Sequence, residues 1–150
     1  MQPVKVVVHY LDGKLLKGYI QGFNENAPFF YVLMDTTPGA KPLMVKMTEI
    51  KALFFVKSMD GNRDYQERKQ FDEDDKVQGR KAEVVFKDGE VLQGTAAGYD
   101  RNRTGFYLIP ADPGSNNSRI FIVANSVKEF KFLPAAPFNS AALKKTSGWT

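Results

Sequence analysis

The chain has 150 residues, a formal charge of +4, no cysteine and a single histidine, His9. Without cysteine neither a disulfide framework nor a thiolate metal site can form, and one histidine is too few for Cys/His pairs, Ser-His-Asp triads or the usual zinc sets. Met1-Gln2-Pro3-Val4-Lys5 lacks the layout of a signal peptide, and no run of about 18 apolar residues exists to span a bilayer, so a reducing cytoplasm is the expected location.

The first element expected is a strand in which Val4, Val6, Val8 and Tyr10 share the core face. His9 falls on the opposite face and is expected to meet solvent. Asp12-Gly13 ends the strand and predicts a two-residue type I′ hairpin. A second strand covers 14–23, interrupted by Gly18 and Gly22, which mark bends or close backbone approach. A third centres on Phe29–Met34, followed by a polar loop, Asp35-Thr36-Thr37-Pro38-Gly39. Leu43–Met47 and Ile50–Val56 complete five strands.

This unit then returns. Residues 4–56 and 81–133 are two copies of one pattern, offset by 76 residues and, after a longer second loop, by 77. Ala82, Val84 and Phe86 repeat the alternation, Asp88-Gly89 the turn, Gly94 and Gly98 the glycines, and Phe106-Tyr107 the pair Phe30-Tyr31. Gly105–Pro110, Arg119–Ala124 and Val127–Leu133 are the later strands of the second copy. The expected organisation is a first unit at 1–57, a connector at 58–79, a second unit at 80–133 and a tail at 134–150. A lone unit of this size buries only about 60% of its unfolded surface, so the two are expected to pack on each other or on the connector.

The connector is rich in charge. Asn62 can cap a short helix through Asp64–Lys69, with Tyr65 and Phe71 as anchors and a looser acidic stretch at Asp72–Asp75. In the tail, Phe138, Leu143 and Trp149 are candidate anchors, expected to pack within the chain or fray.

Little reactive chemistry is on offer. Asp12 and Asp88 each precede a turn glycine, Asp35 and Asp112 open loops, and no Gly-rich phosphate loop stands between a strand and a helix. The chain is therefore expected to be non-enzymatic, without cofactor or metal.

Two stretches carry a resemblance. Gly94-Thr95-Ala96-Ala97-Gly98-Tyr99-Asp100, with Gly18 to Phe23-Asn24 as its copy, resembles a motif of the Sm/Lsm family. Ile122–Phe130, with Val45–Leu53 as a weaker copy, resembles that family's second motif. The resemblance implies an all-β fold of two tandem five-stranded SH3-like, Sm-like barrels joined by a charged, partly helical connector. It does not carry the family's RNA site across. The position of the base-binding Asn holds Thr104 and Pro28, and the Arg-Gly positions hold Val123-Ala124 and Lys46-Met47. The phrase Gly79–Glu90 is similar to one in an uncharacterised bacterial tandem-barrel family sometimes labelled PilZ-like. The Arg-x-x-x-Arg arm and serine motif of a cyclic-dinucleotide site are absent, so that label is analogy of fold.

The function expected is a bacterial protein-interaction module, adaptor-like or associated with signalling. Its candidate surface is Arg101, Asn102, Arg103 and Phe106, with Arg119 near the long loop and Phe29 as the first unit's aromatic. The alternatives are RNA or DNA binding through Lys14, Lys17, Arg101, Arg103 and Lys144-Lys145, and a cyclic-dinucleotide response.

Overall fold

The computed structural model describes residues 2–61, 65–71 and 79–134. The strands of the first copy are β1 (Val4–Tyr10), β2 (Leu15–Ile20), β3 (Phe29–Leu33), β4 (Pro42–Lys46) and β5 (Ile50–Val56). Those of the second are β6 (Arg80–Phe86), β7 (Val91–Ala96), β8 (Gly105–Pro110), β9 (Asn117–Val123) and β10 (Val127–Phe132). One-turn 3₁₀ helices, Met47–Glu49 and Ala124–Ser126, join the last two strands of each copy.

The chain is all-β, and its ten strands form one continuous antiparallel sheet in the order β10-β6-β7-β8-β9-β5-β1-β2-β3-β4. Each copy contributes the same internal order, and the copies meet where β9 pairs with β5, Leu53 opposite Phe121 and Phe54 opposite Ile120. Alternation then sorts the side chains on both sides of this joint. Phe121 and Val123 of β9 enter the core of the first copy, beside Leu53 and Phe55. Ala52 and Phe54 of β5, with Val7 of β1, enter the core of the second, beside Ile120 and Ile122. Each copy thus completes the other's core, which is how two small units share burial that neither reaches alone.

This joint corrects the expectation for His9. The ring is half-buried rather than solvent-facing: it stacks on Phe54 with centroids 3.9 Å apart and lines a cleft with Glu90 and Leu92 of the second copy. Burial lowers its pKa to about 4. A charged lock reinforces the joint. The buried Lys51 of β5 places its Nζ 2.6 Å from Asp88 Oδ2, bonds Glu90, and lies 4.3 Å from the centre of the Phe86 ring. The ammonium and the backbone N–H of Glu90 hold the Asp88 carboxyl below the usual carboxylate range.

Both Asp-Gly hairpins differ from the two-residue turn expected. Tyr10 N–H donates to the Lys14 carbonyl and Gly13 N–H to the Tyr10 carbonyl, with matching bonds from Phe86 to Glu90 and from Gly89 to Phe86. Only the glycines have positive φ, +94° at Gly13 and +96° at Gly89. This is a three-residue loop ending in a left-handed glycine. Asp12 and Asp88 accept the N–H two residues on, so the aspartates stay in ordinary backbone space. At Gly18 and Gly94 the cause is close approach. A Cβ there would collide with Val32 and the Leu33 carbonyl, or with Leu108 and the Ile109 carbonyl.

The connector helix is not formed in the described stretch 65–71. Its backbone groups are taken elsewhere: Arg68 N–H donates to Asp112, Gln93 N–H to the Lys69 carbonyl, and Phe71 N–H to Gln93 Oε1. Tyr65 does anchor the segment, its hydroxyl 2.7 Å from the Asp112 carboxylate, and Lys81 stands over the Phe71 ring. Those bonds hold Asp112 below the ordinary carboxylate range and raise Tyr65. Asn62, Asp64, Asp72–Asp75 and the tail anchors Phe138, Leu143 and Trp149 lie outside the described residues.

Candidate functional site

The turn that carries Arg101, Asn102 and Arg103 is fixed by Asp100, which accepts Asn102 N–H on its side chain and Arg103 N–H on its carbonyl. All three side chains are exposed. Arg103 lines a groove of about 820 Å3 with Arg80, Asp100, Tyr99 and Tyr107, and Glu25 of the first copy also lines it. Arg101 and Asn102 do not line it. Phe106, expected at the surface, is a correction: it is 9% exposed and packs edge-on against Tyr99 and Phe130 in the second core. On β8 it is the residue whose alternation points inward.

Arg119 is exposed yet committed. Its guanidinium lies 4.3 Å from the Phe55 ring centre and 5.3 Å from that of Tyr107, so it caps the joint between the copies. Phe29 stands at the other end of the sheet, 40% exposed and edge-on to Tyr31. The six candidates therefore do not form one surface. Of the basic residues expected for nucleic acid, Lys14 pairs with Asp12 and Lys17 Nζ donates to the Met59 carbonyl, while Lys144 and Lys145 lie outside the described residues.

A second groove, of about 890 Å3, occupies the same place in the first copy, with Phe23 for Tyr99, Ala27 for Arg103, Phe29 for Gly105 and Tyr31 for Tyr107. No charged side chain lines it. It continues onto the outer face of β3 and β4, where register pairs Tyr31 with Met44, Leu33 with Pro42 and Phe29 with Lys46. Phe29, Tyr31 and Met44 share this face, Tyr31 and Met44 each 50% exposed, and form an apolar cluster at a sheet edge; Leu43, opposite the buried Val32 and 44% exposed, lies on the other face of β4. Among the described residues no strand pairs with the outer side of β4.

The repeat gives this cluster its meaning. Pairing aligns Met44 with Phe121 and Leu43 with Ile120, since each sits opposite the same residue of the preceding strand in its own copy. Phe121 is fully buried, 5.1 Å from the Phe23 ring of the first copy. Met44 is the same knob with no strand to receive it among the described residues. Leu43 and Met44 were missed in the sequence because the repeat matches them with the core residues Ile120 and Phe121, and Tyr31 because it matches Tyr107 as part of the shared Phe-Tyr strand. Only strand order reveals which copy is covered.

Among the described residues no group of three or more His, Asp or Glu side chains could hold a metal ion. No curated protein and no solved structure matches the chain. A family model described as a family of unknown function, DUF6982, matches residues 2–134.

Proposed function

Because the chain belongs to this family of unknown function, we propose its role from its own surface: a non-enzymatic protein-interaction module that docks a partner on the open end of its first copy. The observation that carries this is the cluster Phe29, Tyr31 and Met44, exposed on one face of β3 and β4 beside an uncharged groove. Scattered apolar residues need no explanation, whereas a contiguous cluster rimmed by polar residues marks an interaction site. Aromatic side chains and methionine are the residue types enriched at interface centres. We take each copy as a small five-stranded SH3-like barrel. In support, each has the same strand order and the same glycines at its closest backbone approach. A rigid pair of such barrels presents a preformed face, which lowers the cost of binding.

The second copy's arginine groove is the competing surface, and a paired comparison tests the two. In extracts of the source cell, tagged wild-type chain should hold a partner that Tyr31→Glu/Met44→Glu loses at least tenfold. Arg101→Ala/Arg103→Ala should retain it. The opposite ranking moves the interface to the second copy, and retention by both variants removes both surfaces.

A further inference from the structure

We infer that β4 is an acceptor edge for one antiparallel strand of a different protein, a strand apolar at its centre and acidic at both ends. This rests on the interaction reading above and states how the partner engages.

The joint inside the chain shows the mode. There the edge of β9 is filled by β5, running antiparallel, with Ala52, Leu53, Phe54 and Phe55 opposite Ile122, Phe121, Ile120 and Arg119. The counterparts of those four on β4 are Val45, Met44, Leu43 and Pro42, and their outer side is unpaired among the described residues. An edge of the same build, still open, takes the same kind of strand, with main-chain bonds for affinity and alternate side chains for specificity. Exposed Lys46 and Lys41 bracket the apolar centre, and β4 carries no acid. Opposite charges across a strand pair stabilise it, so the incoming strand places acidic residues at these two stations.

A second copy of the chain fits badly. Head-to-tail addition would bring in β10, whose Glu129 and Lys131 stand where β5 has Ala52 and Phe54. Both are exposed charges that the joint would bury. The β10 end is also capped already, with Arg80 3.6 Å from the centre of the Phe132 ring, the counterpart of Phe55. Two β4 strands paired antiparallel, Leu43 opposite Met44, would set Lys41 against Lys46 twice, which like charges resist.

The test uses full chain and a labelled peptide of the order Ser-Glu-Ala-Leu-Phe-Phe-Glu-Ser, read by fluorescence anisotropy. It should bind at least tenfold more tightly than the same peptide with lysine for both glutamates. Lys41→Glu/Lys46→Glu should invert that preference. Methylating the peptide's leucine and second phenylalanine nitrogens should abolish binding if pairing is strand to strand. Equal binding of all peptides, or an uninverted preference, overturns the inference. So does a concentration-dependent dimer of purified chain that Met44→Glu dissolves, since the occupant would then be a second copy. Those failures leave the wider reading standing if the source-cell partner still depends on Tyr31 and Met44. Loss of that dependence fails the wider reading itself.

Discussion

Phe121→Ala should cost about 4 kcal/mol of unfolding free energy, and Met44→Ala less than about 0.5, although the two residues occupy one station of the repeat. Phe121 is fully buried, with the Phe23 ring 5.1 Å away and the Tyr107 ring 5.2 Å away. Truncation removes the transfer free energy of a whole ring and leaves a cavity that a continuous sheet cannot collapse to fill. Met44 is half exposed and loses only partial contacts. Urea unfolding of both variants decides the matter. Because each core is completed by the other copy, a single transition is expected for wild type and for Phe121→Ala. Two separated transitions, or comparable costs for the two substitutions, would show that the β9–β5 joint is not what unites the chain.

The second large effect concerns pH. His9 titrates near 6.5 when free and near 4 in the folded chain. Burial against Phe54 is the main cause; nearby Glu90 opposes the shift, while Lys51 and Lys69 assist it. The unfolded chain therefore binds a proton over this interval that the folded chain refuses. Stability is full above pH 6.5, falls as pH drops, and stops falling through this group near pH 4. The shift corresponds to about 3 kcal/mol at most, and to about 2 once the part of the ring open to water is allowed for. Asp88 acts lower in the scale. Its depressed carboxyl stabilises the fold above its free value of 3.8, and that contribution is lost as pH falls through the folded value. His9→Phe should keep the stack and flatten the decline between pH 6.5 and 4 while leaving the acid loss in place. A wild-type stability that is level from pH 7 to 4 would contradict the burial of this ring.

Much of the fold was legible in the chain. Period-two alternation located β1 and β6, because a strand half-buried in a sheet leaves that imprint, and turn signals with the repeat located the other eight. Asp-Gly marked both hairpins correctly even though the loop is one residue longer than expected, since an aspartate with a following glycine serves either turn. The connector misled for a definable reason. Local spacing through Tyr65–Lys69 suits a helix, but Asp112 and β7 take its donors and acceptors first, and tertiary hydrogen bonds outweigh a weak helical preference. The candidate surface was only half legible. Arg103 was visible as a residue that differs between the copies and Phe29 as the first unit's aromatic, whereas Phe106 looked like an anchor until alternation on β8 turned it inward.

His9 and Met44 mark the boundary between the two kinds of information. Sequence alone determined that this chain is a duplicated β unit with no cysteine and one histidine, because turns, alternation and residue inventory are local properties. It could not say that β1 and β5 lie in the middle of a ten-stranded sheet, where both their faces are covered. Nor could it say that β4 lies at an edge. Burial depends on what pairs with a strand across the fold. Equivalent positions in a repeat therefore have different neighbours once one copy has filled the other's edge. Phe121 became core and Met44 became surface by that asymmetry, and the proposed binding face exists only because of it.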